Sequence, residues 1–189
     1  MIKGKAMVLV ACCAVAAGAE WPTYHGGADL RGVSDAGLPE KPVLLWRYLA
    51  GGAVYNTPVS DGERIFFSAK QGRVVALDRK GAKVWEKSFL RTNDAGQERP
   101  VRFEAPLLCS GGVVLAGTMH GMLHALDGKT GEEKWRYDSE GIIIGSPNWI
   151  AAQNMQDVRK VVVLDQGGGA LHGVDIGTGK RLWKTEGVE

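Results

Sequence analysis

Ala125-Leu-Asp-Gly-Lys-Thr-Gly-Glu-Glu-Lys-Trp135 decides the fold, because the chain repeats it. The motif returns as Gly173-Val-Asp-Ile-Gly-Thr-Gly-Lys-Arg-Leu-Trp183, and one residue shorter as Ala76-Leu-Asp-Arg-Lys-Gly-Ala-Lys-Val-Trp85. Asp78, Asp127 and Asp175 stand 49 and 48 residues apart, and Trp85, Trp135 and Trp183 stand 50 and 48 apart. A period of that size is the mark of a repeat architecture rather than of one irregular domain.

Outward from the motif, each unit reads as four short strands. Thr57-Pro-Val, Arg64-Ile-Phe-Phe-Ser68, Val75-Ala-Leu-Asp78 and Val84-Trp85 make up the first. Ala105-Pro-Leu, Val113-Val-Leu-Ala116, His124-Ala-Leu-Asp127 and Lys134-Trp135 make up the second. Ser146-Pro-Asn, Val161-Val-Val-Leu164, His172-Gly-Val-Asp175 and Leu182-Trp183 make up the third. Turn signals such as Asp61-Gly62, Gln71-Gly72, Lys80-Gly81 and Ser110-Gly-Gly112 separate the runs. Glycine, 27 of 189 residues, runs at about twice ordinary usage. Such an excess fits many tight turns between short strands. The expected class is all-β: a partial β-propeller of about three four-stranded antiparallel blades with tryptophan-docking motifs. The units span 57–87, 105–137 and 146–185.

Within the motif each residue type has a physical reason. The small residues Ala76, Ala125 and Gly173 are read as permitting close packing between sheets. Asp78, Asp127 and Asp175 are placed to accept hydrogen bonds from the backbone of the turn that follows. Gly81, Gly131 and Gly179 supply the positive φ that a short hairpin loop needs, and Thr130 and Thr178 precede the last two. The tryptophans then lie flat against an adjacent blade. The middle unit, with a neighbour on each side, is expected to depend most on its own.

The pattern Ala-x-Asp-x-x-Thr-Gly-x-x-x-Trp resembles the tryptophan-docking repeat of the pyrroloquinoline-quinone (PQQ) type β-propellers. Trp21-Pro-Thr-Tyr-His-Gly26, with Gly32 and Leu45-Trp46, is similar to the lead-in segment of that family's secreted members. Segment 20–56 is read as this lead-in plus Leu44-Leu-Trp46, which resembles an outer strand closing the last blade. The resemblance implies a ring of seven or eight blades, so three units read as a fragment with the remaining blades missing, or as a chain that assembles from several copies. It also implies two functions. One is a non-enzymatic binding or scaffolding module whose partner is a protein or an unknown ligand, with no cofactor. The alternative is the N-terminal part of a PQQ-dependent alcohol or sugar dehydrogenase, which would hold PQQ and calcium.

Candidate sites outside the motif are few. Twelve residues separate Trp46 from Pro58 and Trp135 from Pro147, but 21 separate Trp85 from Pro106. The nine extra residues form a candidate contact loop carrying Arg91, Asn93, Asp94, Glu98, Arg99 and Arg102. A second lengthened loop is Gln153 to Lys160. His120 and His124 have helical ligand spacing in a segment that reads as turn and strand, which removes the logic of a metal pair. His124 and His172 share a repeat position with Val75, so packing is the expected role. No nucleophile elbow, phosphate loop or paired-carboxylate arrangement is present, and no catalytic or metal residue is assigned.

The N-terminus reads as an address. Lys3 and Lys5 precede the apolar stretch Ala6–Ala17, and Ala17-Gly-Ala19 gives a small-residue cleavage site before Glu20. Twelve apolar residues are too few for a membrane span, which needs about 20. Leu9-Val-Ala-Cys12 is the competing feature: it resembles a bacterial lipobox and would leave a lipid anchor at Cys12. Either way the expected location is exported, periplasmic or extracellular. Of 23 Lys+Arg and 21 Asp+Glu in the chain, removal of 1–19 takes two lysines and no acid, leaving 21 against 21. A balanced surface has no basic field for nucleic acid. Cys109, in an apolar run, is then the one cysteine left and is expected to be a buried inert thiol. Mass spectrometry of the exported protein should find Glu20 at its N-terminus; a cytoplasmic product retaining Met1 would rule out the signal reading, and a lipidated Cys12 would move the cleavage site.

Overall fold

A computed structural model describes residues 20–34, 37, 39–151, 159–165 and 169–185, all of them in strands, turns and extended segments. Segment 1–19, expected to be a signal, and most of the loop from Gln153 to Lys160 lie outside the described residues. In the first unit β1 (Val59–Ser60), β2 (Arg64–Ala69), β3 (Arg73–Asp78) and β4 (Lys83–Ser88) form one antiparallel sheet in sequence order. A small ribbon follows, β5 (Leu90–Thr92) with β6 (Glu98–Pro100). The second sheet is β7 (Leu108–Ser110), β8 (Val113–Gly117), β9 (Met122–Asp127) and β10 (Glu133–Asp138). The third is β11 (Asn148–Ala151), β12 (Arg159–Asp165), β13 (Ala170–Asp175) and β14 (Arg181–Thr185).

The middle strands of the first two sheets are buried on both faces. Alternate residues therefore serve two different interfaces. Phe66, Val74, Ala76 and Trp85 of the first sheet pack against Leu107, Cys109, Val114, Ala116 and Leu126 of the second. The opposite face of the first sheet, with Phe67, Val75 and Leu77, is covered by Trp46, Tyr48 and Val54. Leu115, Leu123 and Ala125 of the second sheet form a further layer with Ile176 of the third, where Trp135 and Tyr137 also pack. The core is thus a series of layers between sheets, as expected of units that cannot bury both faces alone.

One junction recurs at each step. The indole N–H of Trp46 donates to the carbonyl of Arg79 at 2.9 Å, that of Trp85 to Gly128 at 3.0 Å, and that of Trp135 to Ile176 at 2.9 Å. Each acceptor directly follows the motif aspartate of the next unit. The ring lies over the turn glycine: a Cβ at Gly81, Gly131 or Gly179 would stand 2.5, 2.7 or 2.7 Å from the indole of Trp46, Trp85 or Trp135. All three glycines have positive φ, 80°, 74° and 73°. The turn needs a left-handed residue and the ring needs one with no side chain, and glycine alone meets both conditions.

The small residue makes a second contact besides the packing between sheets in which Ala76 and Ala125 are fully buried. Ala76, Ala125 and Gly173 pair across the sheet with Trp85, Trp135 and Trp183 of their own unit. A Cβ on Gly173 would sit 2.2 Å from the Trp183 ring. These positions are small so that the indole can lie across its own sheet. In each outer strand the register also slips by one residue just before the tryptophan, leaving Val84, Lys134 and Leu182 without a cross-strand partner. Such a bulge bends the strand and re-aims the side chain that follows. It also explains why Val84 and Leu182 are exposed.

The lead-in segment crosses from one sheet to the next. Trp21 extends β1 through a two-way bridge to Ser60, at 2.9 and 2.8 Å. The Cys109 amide of β7 donates to the Pro22 carbonyl at 2.8 Å. Thr23, fully buried, bonds Ser146 Oγ at 3.0 Å and the Pro147 carbonyl at 3.2 Å. Asn148 at the start of β11 then donates to the Ala28 carbonyl at 2.9 Å. Leu44 and Leu45 belong to no strand among the described residues and are about half exposed, although Trp46 docks as the other tryptophans do.

The expectation that the middle tryptophan matters most needs correcting. Trp46, Trp85 and Trp135 all dock forward, so the tryptophans of the first and second units each have a receiving turn, and Trp85 is buried at 8% exposure while Trp135 is half-buried. Trp85→Ala should therefore cost about 3–5 kcal/mol, Trp135→Ala somewhat less, and Trp183→Ala least, since no following turn receives it among the described residues. Gly131→Val, which meets both strained φ and the Trp85 ring, should cost about 2–5 kcal/mol. Chemical denaturation gives the ranking; equal losses below about 1 kcal/mol would contradict it.

Candidate functional site

The insertion between the first two units is more ordered than a loop. Its residues build the β5–β6 ribbon, with Arg91 opposite Arg99 and Thr92 opposite Glu98. Asn93 shapes the tip: its side-chain oxygen accepts from Ala95 N at 3.1 Å and Gln97 N at 2.8 Å, and its carbonyl accepts from Gly96 N at 2.9 Å. Asp94 sits exposed in that turn. All six strand residues of the ribbon are exposed, whereas its base is anchored. Phe89 and Phe103 meet edge to face at 5.6 Å, with Val101 buried beside them. Phe89 N donates to the Gly72 carbonyl, and Met119 N to the Arg102 carbonyl, at 2.8 and 2.9 Å. The expected contact residues are therefore brought together on one projection.

Beside the ribbon base lies a cavity of about 610 Å³ whose walls include Tyr55, Lys70, Gln71, Pro100, Arg102 and Glu104. Ala69, Val101 and Phe103 give it an apolar component, and Arg102 is paired with Glu104 at 2.7 Å. A second cavity of about 580 Å³ touches Glu20, Pro22, Asp61, Arg64, Cys109 and Trp149. Arg64 and Asp61 are paired there at 2.9 Å.

The histidines pack between sheets. His124 Nδ1 lies 2.6 Å from Glu133 Oε1, and its ring centre is 4.5 Å from that of Phe89 in the preceding unit. Burial lowers its pKa, against the opposing pull of Glu133, and Arg136 and Lys87 add to the lowering. His172 Nδ1 meets the Tyr137 hydroxyl at 2.6 Å, again from the preceding unit. His120 is held below its ordinary pKa first by burial and then by the charges of Arg91 and Arg102. Burial pushes the Cys109 thiol up, which makes it inert.

Among the described residues no three His, Cys, Asp or Glu side chains converge closely enough to hold a metal ion, and cations flank both His120 and His124. Among these residues, too, no helix is long and apolar enough to cross a membrane.

The motif aspartates hold the docking turns. Asp78 Oδ1 accepts from Lys80 N and Ala82 N, both at 2.8 Å. Asp127 Oδ1 accepts from Lys129 N and Thr130 N at 2.8 and 3.0 Å, and Asp175 Oδ1 from Thr178 N and its hydroxyl at 2.7 and 2.8 Å. Sequence reasoning missed a second recurring joint. The chain leaving the outer strand of the first and of the second unit returns to the turn between that unit's second and third strands, Phe89 N to Gly72 O and Ser139 N to Gly121 O, the latter at 2.9 Å. The signal was present: Gly72, Gly121 and Gly169, all of positive φ, keep the 49- and 48-residue spacing of the aspartates.

Stacked four-stranded antiparallel sheets, joined ring-to-turn by tryptophan, define a β-propeller of the PQQ-repeat class. A family profile described as outer membrane protein assembly factor BamB matches residues 40–141 and again 70–189, and the chain belongs to that family of BamB-like PQQ-repeat proteins. The BamB of Shewanella oneidensis is 24% identical over 151 residues, 75% of this chain and 36% of the relative. Two solved structures share the fold. BamB from Moraxella catarrhalis has a TM-score of 0.60 at 22% identity, over 96% of this chain and 47% of that one. Quinohemoprotein alcohol dehydrogenase from Comamonas testosteroni has 0.65 at 24% identity, over 92% of this chain and 28% of that one. The chain spans less than half the length of each.

The turn that receives Trp85 should respond to acid. Lys134, 3.1 Å from Asp127, and then the turn amides hold the Asp127 carboxyl down at about 2, against an ordinary 3.8. A carboxyl depressed in the folded state stabilises above its unfolded value, and that contribution drains away as pH falls through the folded one. Wild-type stability should accordingly decline more steeply than that of Asp127→Asn between about pH 4 and 2. Parallel denaturation curves in that window would show the link to be inert.

Proposed function

We propose that this chain serves as an exported, non-enzymatic binding or scaffolding module with protein partners and no bound cofactor. The observation that carries this reading is where its chemistry-bearing residues are spent. The three motif aspartates hold turns, His124 and His172 fill interfaces between sheets, and Cys109 is buried in one. What projects freely is an anchored ribbon, the form of a contact element rather than of a reaction centre. The name of the matched family, an outer membrane protein assembly factor, supports an export route and work on other proteins. The leading segment Lys3 to Ala19 supports the same route.

The second reading, part of a PQQ-dependent dehydrogenase, is favoured by the likeness to quinohemoprotein alcohol dehydrogenase. The two part company at the bench. Protein incubated with PQQ and calcium should show dye-linked alcohol oxidation no faster than a protein-free blank. Turnover well above that blank, abolished by a chelator, would replace the first reading with the second.

A further inference from the structure

The β5–β6 ribbon poses a physical problem. Its six strand residues are all exposed, so its strands add nothing to the core. It also sets Arg91 directly opposite Arg99. Like charges facing each other across a strand pair are destabilising. Cross-strand partners share a face, so both guanidinium-bearing side chains stand on the same side of the ribbon, away from the Leu90–Pro100 and Thr92–Glu98 pairs. Arg99 donates to the neutral amide oxygen of Gln97 at 2.5 Å, and neither Arg91 nor Arg99 forms an ion pair among the described residues. Arg102 is already matched by Glu104. Close by, burial first and then the charges of Arg91 and Arg102 turn His120 away from the charged form. Positive charge is concentrated here at a cost to the fold, on a projection whose base is fixed by Phe89, Val101 and Phe103.

We propose that the paired arginines Arg91 and Arg99 form a clasp for the carboxylates of an acidic, extended segment of a partner protein. This rests on the binding-module reading and gives its partner a chemistry. Guanidinium groups engage carboxylates through two parallel hydrogen bonds, so two adjacent arginines match a segment with carboxylates on one face. A strand with acidic residues at alternate positions has that spacing. The charge complementarity is local. The chain as a whole is balanced, 21 basic residues, the pair included, against 21 acidic ones from residue 20 onward, and Asp94 and Glu98 flank the pair. A polyanion such as nucleic acid or an anionic bilayer needs a broad basic field, whereas a short acidic segment needs only the clasp.

The test is fluorescence anisotropy of the purified full chain with a labelled peptide of alternating glutamate and valine, at low and at physiological salt. Wild-type protein should bind and weaken as salt is raised. Arg91→Ala/Arg99→Ala should bind about tenfold more weakly or worse, and Arg91→Lys/Arg99→Lys, which keeps charge but loses the fork, should fall between. Because the ribbon strands bury nothing, the alanine pair should unfold at the same denaturant concentration as wild type or a higher one. Peptide affinity equal in wild type and the alanine pair, or no binding at low salt, overturns the proposal. So does equal or stronger arginine-dependent binding to vesicles of anionic phospholipid or to inorganic phosphate. Dehydrogenase turnover in the same preparation would instead remove the non-catalytic reading while leaving the arginine dependence measurable.

Discussion

Each indole N–H that reaches across to the turn of the next sheet closes a chain of dependences. The motif aspartate draws the turn amides onto one oxygen. That turn leaves the carbonyl of residue 79, 128 or 176 facing the neighbour, and the tryptophan of the preceding unit fills the space over the turn glycine. Remove the carboxylate and the acceptor loses its frame. Add a side chain to the glycine and the ring has nowhere to lie. The cross-strand Ala or Gly and the bulge at Val84, Lys134 or Leu182 set the angle at which the indole departs. Five features of a short motif thus serve a single contact, which accounts for their recurrence together.

The direction of that contact matters as much as its existence. Trp46, Trp85 and Trp135 all dock forward along the sequence, so the receiving unit takes its ring from the segment before it. Trp46 fits the rule although no described strand contains it, because its ring and N–H meet Gly81 and Arg79 as the others meet theirs. The burial of Trp85 relative to Trp135 shows that counting neighbours is a poor guide to which ring is most enclosed.

Much of this was legible in the sequence, and the rest was hidden for definite reasons. The period, the four-strand units and the all-β class follow from the spacing of Asp and Trp and from turn chemistry. The bulges were not readable, since Val84, Lys134 and Leu182 share no residue type and a bulge is a relation between two strands. The pairing of Ala76, Ala125 and Gly173 with their own tryptophans was not readable either, because register, not composition, puts them opposite one another. The strands of the ribbon were missed for a similar reason: Leu90-Arg-Thr92 and Glu98-Arg-Pro100 are too short and too polar to show alternation. What the sequence did expose was the length of the insertion, which drew notice to the residues that now form the projection.

Folding order follows from the lead-in segment. Thr23 reaches Ser146 and Pro147, and Asn148 reaches Ala28, across 120 or more residues of chain. Within the sheets, pairing is between consecutive strands, and closing such short loops is entropically cheap and fast. Two of the lead-in contacts are the opposite: Thr23 and Ala28, near the start of the described residues, cannot settle until the third sheet has its first strand in place. In a chain emerging N-terminus first, Trp21 and Pro22 can pair with the first two sheets as these form, while Thr23 to Ala28 would wait for the third. The buried threonine would then lock an assembly whose rings had already docked.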